Sequence, residues 1–161
     1  MVDLTDIRKE YTFGRLDENK VAESPFEQFR VWFDQMLSSR PEEPTVMTVA
    51  SVDESGQPWQ RILLLKHFDD KGFVFYTNYE SNKGQQLALN PKASLHFFWM
   101  NLERQVQVQG KVEKLGREEA EAYFHSRPRE SQIGAWASQQ SQPLESRSAL
   151  ETRYAQLVSE Y

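Results

Sequence analysis

The sequence predicts a mainly β domain with flanking helices, its strands paired antiparallel as a barrel or sandwich. Between residues 45 and 114, short β-branched and apolar stretches alternate with tight-turn signals such as Asp53-Glu54-Ser55-Gly56 and Asp69-Asp70-Lys71-Gly72. Strands joined by such turns pair antiparallel. Within that region, Gln105 to Lys114 alternates cleanly: Val106, Val108 and Val112 on one face, Gln105, Gln107, Gln109, Lys111 and Glu113 on the other. Helical patterns precede and follow the region, with one short helix inside it.

Residues 1–23 are polar, carry Arg8, Lys9, Glu10 and Tyr11 together, and read as an arm. Residues 24–161 read as one domain. A helix begins near Ser24, because Ser24 and Glu27 form a capping-box pattern and Pro25 takes the first helical position. Phe26, Phe29, Trp32, Phe33, Met36 and Leu37 make its apolar stripe, and Pro41 and Pro44 end it. Strands follow at Thr45 to Val52, Gln57 to Phe68 and Phe73 to Asn78. A short helix from Ser81 to Leu89 stops at Asn90-Pro91. Two more strands occupy Ala93 to Met100 and Gln105 to Lys114. Inside the second strand, Arg61-Ile62-Leu63-Leu64-Leu65-Lys66 does not alternate. It needs cover on both faces, by the barrel core on one and by a helix or a second subunit on the other. After Gly116 come a helix from Arg117 to Ser126, a loop carrying Arg129 to Ser141, and a last helix from Pro143 onward with Leu150, Tyr154, Leu157 and Tyr161 on one stripe.

A chain of 161 residues, 39% apolar and 27% charged, suits one domain with a real core. The net charge of −5 argues against nucleic acid or anionic membrane as a partner, so any anionic ligand needs a local basic cluster. The absence of cysteine excludes disulfides, thiolate metal sites and a cysteine nucleophile, and fits a reducing cytoplasm, the expected location. The N-terminal stretch lacks an apolar core of signal-peptide length. The longest apolar run, Ile62 to Leu65, is far too short to span a membrane as a helix.

Neither G-x-G-x-x-G nor G-x-x-x-x-G-K is present. His67, His96 and His125 are isolated and lack metal-ligand spacing, so no metal is expected. No serine sits in a nucleophile elbow. What remains is cationic. Arg61 and Lys66 bracket an apolar strand, and Lys83 lies in the first turn of a helix whose N-cap candidate is Ser81. A helix N-terminus beside a lysine makes a phosphate seat, although ordinary surface lysines give the same pattern. The second cluster, Tyr123 to Gln132, packs Arg127, Arg129, Ser126, Ser131 and Tyr123 around a helix stop. It suits either a second phosphate or a solvated helix end, and composition leaves both open.

Several stretches resemble the pyridoxine/pyridoxamine 5′-phosphate oxidase family: Arg8-Lys9-Glu10-Tyr11, Gln60 to Lys66, Phe75-Tyr76-Thr77-Asn78, Glu103-Arg104-Gln105-Val106, and Tyr123-Phe124-His125-Ser126-Arg127-Pro128 running on to Ser131-Gln132-Ile133-Gly134-Ala135-Trp136. The resemblance covers the chain from about residue 7. It implies an antiparallel split β-barrel of the FMN-binding type, assembled as a homodimer with FMN at the subunit interface. By the same resemblance, Arg61, Ile62, Leu63, Leu64, Tyr76, Thr77, Lys83, Gln105, Gln140 and Ser141 would hold FMN, with Arg61 and Lys83 facing its phosphate. Lys66, Tyr123, Arg127 and Ser131 would take the phosphate of the substrate. Arg8 and Tyr11 would come from the arm that closes over it.

The implied chemistry is oxidation of pyridoxamine or pyridoxine 5′-phosphate at C4′. A hydride equivalent passes to the flavin, and dioxygen takes the electrons to give hydrogen peroxide. Asn82 departs from the basic residue that many relatives carry beside Lys83. The family also continues past the last helix with further strands and Trp-Gly-Gly-Phe-Arg-like and Arg-Leu-His-like segments, so its catalytic residues are expected beyond Tyr161. Two other readings compete: a split-barrel protein that binds FMN or pyridoxal phosphate without turnover, and a flavin reductase of related fold. A substrate-phosphate cluster at Tyr123 to Ser131 argues against the reductase.

Overall fold

The structure, a computed structural model, describes residues 2–161; Met1, the first residue of the expected arm, lies outside the described residues. The elements in order are α1 (Pro25–Ser38), β1 (Val46–Val52), β2 (Pro58–Leu64), β3 (His67–Phe68), β4 (Phe73–Val74), α2 (Asn82–Leu89), β5 (Lys92–Trp99), a 3₁₀ turn (Met100–Leu102), β6 (Arg104–Lys111), α3 (Arg117–Ser126), α4 (Arg129–Ala137) and α5 (Arg147–Glu160). Four strands form a sheet in the order β2-β1-β5-β6, and β3 pairs antiparallel with β4. The amide of Asp53 donates to Gln57 O and that of Leu65 to Thr45 O, both in the register of an antiparallel β1–β2 hairpin.

The residues divide into two compact units. The first comprises the described residues up to 49, with 61–75 and 95–108. Its core is aromatic: Phe29 is 3% exposed, with ring centroids 4.8 Å from Phe68, 4.9 Å from Phe73, 5.0 Å from Phe97 and 5.7 Å from Phe33. Met47, Val49, Leu65, Leu95, Trp99 and Leu102 complete it. Of the expected stripe on α1, Phe29, Phe33 and Met36 are buried, whereas Leu37 is 43% exposed. Ser24 caps that helix by accepting from the Glu27 amide, with Pro25 in the first turn.

The second unit comprises residues 50–60, 76–94 and 109–161. In it, Asp53 organises the turn after β1. Its carboxylate accepts from the Ser55 hydroxyl and amide, the Gln57 amide and the Trp59 indole. These bonds, the Ser55 hydroxyl first, hold its pKa down to about 2. Also in this unit, α4 packs against α5, and the Arg129 guanidinium donates to Val158 O at 2.9 Å.

Four expectations need correction. The expected loop from Arg129 to Ser141 is helical over Arg129–Ala137, with Pro128 as its N-cap and Ile133 and Ala137 buried one turn apart. The strand expected over Phe73 to Asn78 ends at Val74, and Tyr76 turns to a ring partner instead of a strand partner. The long strand to Phe68 breaks after Leu64, where the Lys66 amide donates to Val74 O and starts the β3–β4 hairpin. The last helix starts at Arg147, because Ser146 caps it by accepting from the Ala149 amide. The apolar segment behaves as half expected: Leu65 is 3% exposed and joins the core, whereas Ile62 is 61% exposed.

Candidate functional site

In the second unit, the start of α2 is built around Ser81. Its hydroxyl donates to Asn78 O at 2.6 Å and accepts from the Gly84 amide at 3.3 Å and the Lys83 ammonium at 3.2 Å. Ser81 is fully buried. Lys83 is 8% exposed, and its ammonium also donates to Gln140 Oε1 at 2.8 Å, across 57 residues of chain. Both of these named partners are oxygens at or near the N-terminal turn of α2, where free amides also gather. Gly84 permits the arrangement. A Cβ at that position would stand 2.3 Å from Tyr79 O and 2.7 Å from Asn78 O, so only glycine lets the turn lie this close to the helix. Close by in sequence, the Thr77 hydroxyl is buried and has no hydrogen-bond partner among the described residues.

The same unit stacks Tyr76 on Tyr123, with ring centroids 3.5 Å apart and planes 4° from parallel. Burial, then the Glu119 carboxylate and Tyr123, push the Tyr76 phenol pKa up. At the corner between α3 and α4, Arg127 is extended and its carbonyl accepts from Gln132 Nε2 at 2.8 Å. Its guanidinium lies 5.7 Å from the Phe124 ring centroid. Ser131 is half-buried in the first turn of α4, and Ser141 is exposed with φ of 68°.

The other candidates belong to the first unit. The Arg61 guanidinium is half-buried and donates to Val49 O at 3.3 Å. Leu63 packs against the core, while Ile62 and Leu64 are exposed on the alternate face of β2. Lys66 is exposed at the break before β3. Gln105 Oε1 lies 3.1 Å from His96 Nε2. Arg8 donates to Thr5 O, within the N-terminal segment itself, and Tyr11 is 79% exposed.

Direct contact thus joins Lys83 to Gln140 and Tyr76 to Tyr123, and the α3–α4 corner carries Arg127 and Ser131. Two residues have roles that the sequence alone did not assign. Gly84 had a signal, a glycine at the third position of a helix with a serine cap. Glu103 had none in local pattern, because its carboxylate binds chain 91 residues away. No cluster of metal-ligating side chains occurs among the described residues, and no helix is long and apolar enough to cross a membrane.

A family profile described as pyridoxamine 5′-phosphate oxidase matches residues 33–159. The pyridoxine/pyridoxamine 5′-phosphate oxidase of Paraburkholderia phytofirmans is 52% identical over 161 residues, covering 100% of this chain and 76% of that protein. The protein of the same description from Paraburkholderia xenovorans is 54% identical over 153 residues, 95% of this chain and 72% of the relative. Among solved structures, PhzG from Burkholderia lata 383, in complex with tetrahydrophenazine-1-carboxylic acid, aligns with TM-score 0.84 and 25% identity over 88% of this chain and 70% of its own. A pyridoxamine 5′-phosphate oxidase-related, FMN binding protein from Nostoc punctiforme aligns with TM-score 0.63 at 16% identity, over 81% of this chain and 73% of its own, a likeness of fold alone.

Proposed function

Because the chain belongs to the pyridoxamine 5′-phosphate oxidase family, with antiparallel sheets and flanking helices of the split-barrel type, we propose that it binds FMN and oxidises pyridoxamine or pyridoxine 5′-phosphate. Dioxygen is the acceptor. For the alcohol, C4′ gives up a hydride equivalent and its hydroxyl a proton, and these two electrons with two protons reduce dioxygen to hydrogen peroxide. For the amine, the same loss is followed by hydrolysis, which releases ammonia.

The observation that carries this reading is the buried Lys83 ammonium at the start of α2, held by Ser81 and Gln140. A buried cation at a helix N-terminus, where free amides converge, suits a phosphate dianion. The buried, unpartnered Thr77 hydroxyl fits the same demand, being a polar atom in want of a ligand. FMN, when bound, supplies the two-electron chemistry. Lys83 and Arg61 would hold its phosphate, with Ile62, Leu63, Leu64, Tyr76, Thr77, Gln105, Gln140 and Ser141 around the rest. Lys66, Tyr123, Arg127 and Ser131 would fix the substrate phosphate and so orient C4′, with Arg8 and Tyr11 excluding water above it.

Protein supplied with FMN and pyridoxamine 5′-phosphate should release peroxide in step with pyridoxal 5′-phosphate. FMN bound without peroxide would leave a binding protein and remove the enzyme reading. Arg127→Ala should raise the Michaelis constant about tenfold to a hundredfold, as loss of a charge-assisted phosphate contact of about 1.5–3 kcal/mol requires, with FMN content unchanged. Loss of FMN with an unchanged Michaelis constant would exchange the two phosphates in this assignment.

The exposed alternate face of β2, with Ile62 61% and Leu64 36% exposed, supports assembly with a second copy. Sedimentation at micromolar concentration should give a dimer. A monomer that binds FMN tightly would contradict that assembly.

A further inference from the structure

The segment before α1 contains no helix or strand from residue 2 to residue 24, and most of it is exposed. Yet a side chain of the β5–β6 connection binds it. Glu103 follows the 3₁₀ turn between β5 and β6 with φ of 51°, a left-handed conformation that non-glycine residues seldom adopt. Its carboxylate oxygen Oε2 accepts from two successive amides of the segment, Thr12 at 2.6 Å and Phe13 at 2.7 Å. The other oxygen pairs with the Lys9 ammonium at 3.2 Å.

The Glu103 side chain is 9% exposed, whereas that of Lys9 is 75% exposed. The Lys9 pair is therefore a solvated ion pair of small effect, and the two amide bonds to the less exposed carboxylate form the attachment. Charge-assisted bonds from two adjacent N–H groups fix the direction of the chain as well as its position. Beside them, Phe13 lines a shallow groove with Gln35, Ser39, Leu102 and Arg104. The hydrogen bonds from Phe13, Lys9 and Thr12, in that order, lower the Glu103 pKa, so the carboxylate is ionised at neutral pH.

We propose that Glu103 is a positioning residue that latches the N-terminal strap to the β5–β6 turn through the Thr12 and Phe13 amides. Arg8 and Tyr11 stand one to four residues before the latched pair, so their placement depends on it. The latch rests on geometry alone; its consequence for substrate rests on the proposed function, in which Arg8 and Tyr11 meet the substrate.

Amide hydrogen exchange on the FMN-loaded protein tests the latch directly. Thr12 and Phe13 should exchange at least tenfold more slowly than the exposed amides of Arg8 and Leu16. Glu103→Ala should abolish that protection, and Glu103→Gln, which keeps one carbonyl oxygen, should lose part of it. Core amides of Val49 and Phe97 serve as the measure of intact fold. Unchanged Thr12 and Phe13 exchange in Glu103→Ala would overturn the latch. With pyridoxamine 5′-phosphate, Glu103→Ala should raise the Michaelis constant several-fold with little change in kcat, and combining it with Arg8→Ala should add little further. Full additivity of the two, or a Michaelis constant unmoved by Glu103→Ala while Arg8→Ala raises it, would overturn the positioning role. An Arg8→Ala variant without effect would instead count against Arg8 as a substrate ligand and leave the exchange result to judge the latch.

Discussion

Gly84→Ala should be among the most damaging single substitutions in the chain. The added Cβ would stand 2.3 Å from Tyr79 O and 2.6 Å from Tyr79 C, and both obstacles are backbone. No rotamer change relieves such a clash, so the 78–81 turn must move away from α2. Overpacking of this kind costs about 1–3 kcal/mol where side chains can yield, and rigid backbone puts this case at the upper end or above it. The same movement pulls Ser81 from the Gly84 amide and from the Lys83 ammonium, so FMN should be lost as well. Gly134→Ala is the matched control. It lies within α4 with nothing inside 4 Å of the added carbon, and should be neutral or stabilising by about 0.5–1 kcal/mol. Urea denaturation of both variants, with flavin absorbance on the purified proteins, reads the contrast. Equal stability and equal flavin in Gly84→Ala would mean that the turn has room to relax and does not shape the site.

Local pattern revealed much of this molecule and failed where stability comes from a distance. The Ser24 and Ser81 caps, the α1 stripe and the alternation of β6 were legible because each is decided by neighbours within four residues. The helix α4 was not legible. Only Ile133 and Ala137 of its nine residues are buried, Gly134 interrupts it, and Pro128 reads as a stop when it also serves as a cap. Packing against α5 supplies what its own sequence lacks. The candidate site divides the same way. Lys83 was legible as a cation beside a cap, but its burial and its bond to Gln140 were not. The Tyr76–Tyr123 stack joins residues assigned separately to cofactor and substrate, which no spacing rule could have paired.

Lys83→Met should separate what the residue does for the fold from what it does for the ligand. Methionine is apolar and about as long, so it can fill the space beside Ser81 without an ammonium to desolvate. Its two named partners keep other bonds: Ser81 still donates to Asn78 O and accepts from the Gly84 amide, and the exposed Gln140 can turn to water. The ligand-free variant should therefore be as stable as the parent or more so. FMN binding should move the other way, weakening about tenfold to a hundredfold if Lys83 gives one charge-assisted phosphate contact of about 1.5–3 kcal/mol. Riboflavin, which lacks the phosphate, should bind parent and variant alike. Opposite signs for stability and affinity are what a residue kept for its ligand must show, since a purely structural lysine would lower both when removed. Fluorescence titration with FMN and with riboflavin, beside denaturation of the ligand-free proteins, measures all of these quantities. A variant that is destabilised yet binds FMN as the parent does would make Lys83 structural and move the phosphate elsewhere.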